Sequence, residues 1–244
     1  MESGRSKLDA FVREHLMMSD TGPTEAQVKA FVRETKKGGG VDAAWQCDLI
    51  SGWWQMRSDE QYKNTGRRYQ KAIRLLTAAH TAMMEAPSVP KCYLAYVHLW
   101  LGMCYNECHD FDGTEANEMA LAHYALAKSA ALDAACDDTR NMRILASALN
   151  SMGVAQHHLA ISLRNEHTHL PVPAKSLALY NQALRLLRGF SAEAEAGTDN
   201  FVRRLREIIY SNMGKTEKTG QKQKQEGGSI GGLGAVLAGG GNLW

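Results

Sequence analysis

Histidine is concentrated in one stretch of the chain, where His157, His158, His167 and His169 stand close together in the sequence. Imidazole rings are common ligands of transition metals, so this stretch is the first candidate for a metal site. Adjacent residues of a helix point about 100° apart, however, and the last two histidines fall in a predicted loop before Pro171. No pair has the spacing of a fixed ligand set, and we therefore predict no bound metal.

Cys104 and Cys108 form a second candidate, one helical turn apart with His109 alongside. Two thiols at that spacing can share a zinc ion, but a structural zinc site requires four ligands. The number of cysteines is odd, and their spacing does not indicate a disulfide framework. We expect all five to pack as small residues in a reducing compartment, with the cytoplasm as the default: Cys47, Cys92, Cys104, Cys108 and Cys136.

The sequence Met213-Gly214-Lys215-Thr216 ends like a phosphate-binding loop, which lies between a strand and a helix. The first glycine of such a loop would have to stand at Ile209, and no strand is predicted before it. Nucleophile elbows, metalloprotease histidine pairs and dinucleotide fingerprints are missing from the sequence, and no carboxylate pair is singled out by its spacing. We therefore predict no catalytic residue and no cofactor, and we expect the chain not to be an enzyme.

The charges of the chain are nearly balanced, with 28 basic and 26 acidic residues and a net charge of +2. This balance predicts neither nucleic acid nor a membrane surface as a partner. The first residues lack the apolar stretch of a signal peptide, so none is expected. No apolar run of about 18 residues is found either, so no membrane span is expected. With 244 residues and 44% hydrophobic content, the chain can bury a sizeable core.

Helix signals follow one another along the chain, whereas no strand alternation is recognisable. Alanine and leucine dominate the apolar residues, which favours helix over strand. Thr24 followed by Gln27 matches the pattern of a capping box at a helix start. Residues 1–40 are therefore predicted to form an N-terminal helical pair, over 5–18 and 24–36.

Three glycines recur inside apolar helical segments, at Gly52, Gly102 and Gly153, which are 50 and 51 residues apart. Each is followed on a second predicted helix by a small residue, a tyrosine four positions later and an alanine three further. The sets are Thr65, Tyr69 and Ala72; Ala120, Tyr124 and Ala127; and Ser176, Tyr180 and Ala183. Residues at i, i+4 and i+7 share one face of a helix. A glycine on the first helix of a hairpin lets this face of the second helix approach closely. We expect the tyrosine ring to fill the gap between hairpins, which must stack because none buries its apolar face alone.

Two motifs in the second unit, Leu101-Gly102-Met103-Cys104-Tyr105 and Ala120-x-x-x-Tyr124, resemble those of the tetratricopeptide family. The resemblance covers residues 41–190 and implies an all-α fold, in which three antiparallel helical hairpins stack as a short superhelix. A repeat of about 50 residues exceeds the usual 34 of that family, so longer helices or loops are expected. A helical bundle without repeats is the alternative architecture.

A capping helix is predicted after the repeats, within residues 191–213, and a tail follows it. This helix would bury one side, with Val202, Leu205, Ile208 and Ile209. The tail, residues 214–244, is rich first in lysine and glutamine and then in glycine. Because each glycine costs a helix about 1 kcal/mol, we predict that the tail is disordered.

In tetratricopeptide arrays, the first helices of the hairpins line a concave groove that takes a peptide or a helix. Counted from the three glycines, the resemblance places eleven residues in this groove: Trp53, Met56, Arg57, Tyr96, Trp100, Met103, Asn106, Glu107, Asn150, His157 and His158. One end would be aromatic and rich in methionine, which suggests an apolar helix or linear motif as the ligand. Alternatively, the N-terminal helices or the tail fill the groove.

We therefore predict a scaffold or adaptor that presents a helical groove to another protein, and the oligomeric state stays open. A structural subunit of a larger multiprotein assembly is one alternative. A 14-3-3-like phosphopeptide binder is another, because five arginines could build a basic pocket: Arg67, Arg68, Arg74, Arg140 and Arg143.

Overall fold

The computed structural model describes residues 4–17, 23–40, 42–57, 65–86, 89–108, 113–134, 138–164, 173–190 and 200–237. These residues form helices and no strand, which confirms the all-α prediction. They contain a π-helical turn at Val12–Met17, a 3₁₀ turn at Arg188–Phe190 and nine α-helices: α1 Gly4–Phe11, α2 Glu25–Gly38, α3 Ala43–Arg57, α4 Thr65–Glu85, α5 Lys91–Glu107, α6 Gly113–Asp133, α7 Asp138–Arg164, α8 Pro173–Leu187 and α9 Asn200–Leu237.

Consecutive helices pack against each other as hairpins, α3 with α4, α5 with α6 and α7 with α8. Each hairpin also contacts the next one, through α4 with α5 and through α6 with α7. Helix α1 contacts α2, which packs on α3, and α9 packs on α8 and α7. No helix within the described ranges is both long enough and apolar enough to cross a membrane.

The second helix shows how local residues set the ends of an element. Thr24 Oγ1 accepts a hydrogen bond from the backbone N–H of Gln27 at 3.3 Å, and Gln27 Oε1 accepts one from the Thr24 N–H at 2.8 Å. The predicted capping box is therefore confirmed. Gly39 ends the helix with a φ of 61°, a backbone conformation that favours glycine.

Gly102 and Gly153 each hold a tyrosine ring from the second helix of their own hairpin. A Cβ atom at residue 102 would lie 2.5 Å from Cε1 of Tyr124, and one at residue 153 would meet Tyr180 equally closely. Both rings are 1% exposed. The glycines are therefore required for close packing inside each hairpin, whereas the sequence predicted that the rings lie between hairpins.

The tyrosine hydroxyls, in contrast, reach the next element of the stack. The Tyr124 hydroxyl is hydrogen-bonded to the side chain of Ser151 on α7, and the Tyr180 hydroxyl faces Thr216 on α9. Burial raises the pKa of both tyrosines, so the phenols are neutral at pH 7. Each tyrosine thus joins the two helices of its own hairpin to the helix that follows, and α9 occupies the position of a further first helix.

The first hairpin departs from this pattern, because Leu76 rather than Tyr69 faces Gly52. A Cβ atom at residue 52 would lie 2.8 Å from Cγ of Leu76. Leu76 stands 24 residues after Gly52, close to the 22 that separate Gly102 from its tyrosine, whereas Tyr69 stands only 17 after Gly52. The predicted equivalence of the three tyrosines is therefore wrong for the first hairpin. Tyr69 stands only four residues after the start of α4, whereas Tyr124 stands eleven residues after the start of α6, so a later turn of α4 meets the glycine.

The ninth helix begins as the predicted cap and continues beyond it. Val202 and Ile209 are fully buried, as predicted, but Ile208 is 50% exposed and does not share their side. The helix does not stop before Gly214; it runs to Leu237, and its side chains are described as far as Gln221. Residues 238–244 lie outside the described residues, and flexibility of the tail stays a prediction.

Candidate partner-binding site

A cleft of about 310 Å³ opens on the face formed by the first helices α3, α5 and α7. We call it the inner cleft. Seven of the eleven predicted groove residues line it: Trp53, Met56, Arg57, Tyr96, Trp100, Met103 and Asn150. The remaining lining residues are Leu99, Arg143, Ile144, Ser147, Ser151, Phe201, Leu205 and Ile208. The helical spacing counted from the glycines thus identifies much of the surface that the first helices share.

Aromatic rings form the floor of the inner cleft. The ring centroids of Trp53 and Trp100 lie 6.3 Å apart, and those of Tyr96 and Trp100 lie 5.1 Å apart. Both tryptophans are only 5% exposed, so they hold α3 against α5 as well as lining the cleft. The accessible apolar surface comes instead from Met103, which is 36% exposed, and from Ile208.

Two arginines give the inner cleft a positive charge. The guanidinium of Arg57 lies 5.8 Å from the ring centre of Trp53, and that of Arg143 lies 5.7 Å from the ring centre of Phe201. No carboxylate is found among the described residues that line the cleft. A ligand with an acidic group beside an apolar side chain is therefore favoured over a basic one.

The far wall of the inner cleft comes from the first turns of α9, through Phe201, Leu205 and Ile208. These three residues were not predicted for the groove, because α9 was assigned only the role of a cap. Arg143 and Ile144 on α7 were not placed in the groove either. Ile144, Ser147 and Ser151 follow helical spacing and could have been found by extending the predicted face toward the start of α7.

The N-terminal helix covers the other end of the same helix face. One Asp9 carboxylate oxygen, Oδ1, accepts hydrogen bonds from the Tyr93 hydroxyl, near the start of α5, and from Arg140 Nη1, near the start of α7, the latter at 2.8 Å. Leu8 and Val12 are fully buried. The chain thus fills part of the predicted groove with α1, and the inner cleft lies between α1 and α9.

The four other predicted groove residues lie outside the inner cleft. Asn106 and Glu107 end α5, and His157 and His158 follow Gly153 on α7. Burial lowers the pKa of His158, while neighbouring Glu107 opposes that shift and Lys215 of α9 adds to it. These contacts place His158 beside α9 near Lys215, and away from Trp53 and Trp100, which line the inner cleft.

The five arginines considered as a phosphopeptide pocket make different contacts. Arg68 donates to the hydroxyl of its neighbour Tyr69 at 2.7 Å. Arg140, which is 6% exposed, is bound to the carboxylate from α1. Arg143 lines the inner cleft, and Arg67 and Arg74 are exposed on α4.

Residues singled out for metal or phosphate chemistry are placed as follows. Within the described ranges, no group of three or more histidine, cysteine, aspartate or glutamate side chains is arranged to hold a metal ion. Cys104 and Cys108 are buried free thiols, and burial raises the pKa of Cys104 to about 12. Gly214 to Thr216 lie inside α9 and not in a turn. His109, Cys136, His167 and His169 lie outside the described residues.

A cluster of three histidines was not predicted by the sequence analysis. His80, His98 and His123 belong to α4, α5 and α6, so no sequence spacing brings them together. The Nδ1 atoms of His98 and His123 lie 3.2 Å apart, and the rings of His80 and His98 are 4.8 Å apart. Burial, reinforced by the two neighbouring rings, lowers the pKa of His98 to about 4. The cluster is therefore neutral at pH 7 and packs as part of the hairpin interface.

No protein-family model, no curated protein and no solved structure matches the chain.

Proposed function

We propose that this chain is a protein–protein interaction scaffold of tetratricopeptide-like hairpins, which binds a peptide or helix of another protein in the inner cleft. The observation that carries this proposal is the combination of an aromatic floor, exposed Met103 and Ile208 at the mouth, and the exposed Arg57 among the lining residues. Aromatic residues, methionine and arginine are the side chains enriched at protein interfaces.

The size of the inner cleft supports a particular mode of binding. At about 310 Å³, it lies at the lower end of the range for ligand sites, roughly 300–1,000 Å³. That volume accommodates one or two large apolar side chains, not a whole helix. The partner would therefore insert an anchor residue and place an acidic group near Arg57 or Arg143.

The test uses exposed residues at the mouth, because truncating either buried tryptophan would cost about 3–5 kcal/mol of stability and confuse binding with folding. Met103→Glu and Ile208→Asp place a negative charge at the cleft without opening a cavity. Proteins captured by the tagged wild-type chain from cells are quantified by mass spectrometry and compared with those captured by each variant. We expect a defined set of partners to lose at least about tenfold in recovery.

Matched controls are available elsewhere on the chain. Met84→Glu on α4 and Leu132→Asp on α6 make the same changes at residues that are 65% and 63% exposed, outside the cleft. A partner that is lost with the cleft variants and retained with these controls supports the proposal. If every captured protein responds equally to both pairs, or to neither, the cleft is not the binding site.

A structural subunit of a larger assembly is the second candidate, and one observation favours it. Met119 and Leu126 lie seven residues apart on one face of α6 and are 39% and 49% exposed. An apolar stripe of this kind is suited to a neighbouring subunit. Light scattering of the purified chain separates the two candidates, because a scaffold should be stable alone, whereas an assembly subunit should aggregate without its neighbour.

A further inference from the structure

A second and larger concavity lies between the N-terminal pair and the first hairpin. Its volume is about 890 Å³, and helices α2, α3 and α4 line it. We call it the outer trough. It shares no residue with the inner cleft, because α3 contributes Ser51, Trp54 and Gln55 here and the alternate positions Trp53, Met56 and Arg57 there. Two faces of the same helix thus serve two separate concavities.

The outer trough is elongated along α2. The lining residues of this helix begin at Glu25 and recur in each turn as far as Lys37. Twelve helical steps of 1.5 Å give a length of about 18 Å, or just over three turns of a helix. Lys71 and Leu75 of α4 form the opposite wall. The dimensions match a short helical segment laid between α2 and α4.

The outer trough carries a net positive charge, although Asp48 of α3 lies nearby: burial raises the pKa of this carboxyl, and neighbouring Lys36 opposes that shift. Its lining contains five basic side chains, Lys29, Arg33, Lys36, Lys37 and Lys71, and one carboxylate, Glu25. That carboxylate already pairs with Lys29 at 2.7 Å. Glu34, which lies outside the lining, is 3.5 Å from Arg33 and 3.4 Å from Lys37. Several acidic groups on a ligand would be needed to balance the basic walls.

The floor of the outer trough is apolar. Trp54 and Leu75 are half-buried, Val32 is half-buried beside them, and Val28 is buried at 4% exposure. A surface that binds a polyanion by charge alone gains nothing from an apolar floor, because such a ligand has no apolar side chains to bury. Leucine-sized side chains seated on Trp54 would remove apolar surface from water, while acidic neighbours met the lysines on both walls.

We propose that the outer trough binds an acidic amphipathic helix of a partner protein, with its apolar face on Trp54 and its carboxylates on the lysines of α2 and α4. The partner segment is about three turns long and carries apolar residues at i, i+3 or i+4, and i+7. This site is independent of the inner cleft. The scaffold therefore holds two partners, or two segments of one partner, on opposite faces of α3.

The experiment measures the affinity of the full chain for a designed probe by fluorescence anisotropy. The probe is a fluorescein-labelled peptide of three to four turns, with leucine on one face and glutamate on the others; a scrambled peptide of identical composition lacks the apolar face. We expect Lys36→Glu combined with Lys71→Glu to weaken binding of the probe at least about tenfold, since both walls lose attraction. Trp54→Ala should weaken it about fivefold by removing the floor.

The matched control reverses the charge of two exposed lysines on helices that do not line the trough, with Lys175→Glu on α8 and Lys218→Glu on α9. It changes the net charge equally and should leave the affinity within about twofold, because the distant charges are screened. Circular dichroism verifies that each variant is folded. Variants of the inner cleft, such as Met103→Glu, should also bind the probe normally, so that failure of either site is seen separately.

Three outcomes would overturn the proposal. The proposal is wrong if the scrambled peptide binds as tightly as the amphipathic one, or if Trp54→Ala leaves the affinity unchanged. It is also wrong if charge reversal of Lys36 and Lys71 weakens binding no more than the control variant does. Heparin and phosphatidylserine vesicles serve as competitors in the same assay. If they bind the wild type and Trp54→Ala alike and displace the probe, the trough is a general polyanion or membrane surface and the helix proposal is wrong.

Discussion

The ring of Tyr124 on α6 packs directly onto the backbone of Gly102 on α5. This contact leaves no room for a side chain, because a Cβ atom at residue 102 would lie 2.5 Å from Cε1 of the ring. The same relationship recurs in the third hairpin. The glycine and the tyrosine therefore act as one unit, in which the missing side chain on one helix is replaced by the ring from the other.

Replacing Gly102 with alanine tests this unit. Alanine favours a helix by about 1 kcal/mol over glycine, but the clash with a buried ring should cost more, and we expect a net loss of roughly 1–3 kcal/mol. Urea denaturation followed by circular dichroism gives the free energy of unfolding. Gly214→Ala is the matched control, because nothing lies within 4 Å of a Cβ atom there, and it should be neutral or stabilising. Equal effects of the two substitutions would refute the packing argument.

The altered contact in the first hairpin makes a separate prediction. Gly52→Ala should be destabilising because of Leu76, and the loss should be partly relieved in a double variant with Leu76→Ala. We expect a coupling energy of about 0.5–3 kcal/mol for this pair and near additivity for Gly52→Ala with Tyr69→Ala. A double-mutant cycle in urea measures both. Coupling to the tyrosine and not to the leucine would restore the equivalence that the sequence suggested.

The histidine cluster predicts a loss of stability in mild acid. The pKa of His98 is about 4 in the folded chain, lowered by burial and by His80 and His123, whereas an unfolded histidine titrates near 6.5. Between these values the unfolded chain binds more protons, so the free energy of unfolding falls as the pH drops from about 6.5 toward 4. For this single group the loss between pH 8 and pH 5 is about 2 kcal/mol.

Urea midpoints at several pH values check this dependence. His98→Gln should fold at pH 8 with a shallower decline toward pH 5, because the buried group no longer titrates. His158→Gln removes a histidine outside the cluster whose pKa is also lowered, but its side chain is exposed, so it should flatten the decline less than His98→Gln does. An unchanged slope in His98→Gln would show that other groups dominate the acid sensitivity.

The contact between Asp9 and Arg140 predicts that this carboxylate, together with the buried side chain of Leu8, fixes α1 on α5 and α7. Asp9→Ala leaves a guanidinium that is 6% exposed without its carboxylate, and we expect a loss of roughly 2 kcal/mol, moderated because the Asp9 side chain is 39% exposed. A helix of eight residues does not persist alone in water, so the backbone amides of α1 should exchange with deuterium much faster. Mass spectrometry of peptic fragments measures this exchange.

The neighbouring exposed residue Lys7 provides the control for the Asp9 variant. Lys7→Ala lies on the same helix, removes a charge and should leave the amide exchange of α1 unchanged. If exchange in α1 is fast in the wild type as well, the helix is not fixed on α5 and α7, and the groove is open along its whole length.

Several features of the fold follow from the sequence alone, because they depend on neighbours along the chain. The capping box at Thr24 needs only a residue three positions away. The close approach of the second helix of a hairpin to Gly102 depends on a glycine inside an apolar helix, although the sequence did not predict that the Tyr124 ring lies inside the hairpin. Likewise, the tryptophans and methionines of the inner cleft fall on one face because the helical period places them there.

Other features were decided by the tertiary structure. Leu76 and not Tyr69 contacts Gly52 because Tyr69 lies in the first turns of α4, and a periodic pattern does not record where along a helix the partner helix crosses. Asp9 meets Arg140 across 131 residues of sequence, and Phe201 closes the cleft from the last helix. Helical periodicity specifies which residues share a face of one helix, whereas the approach of one helix to another depends on how all of their apolar faces are buried together.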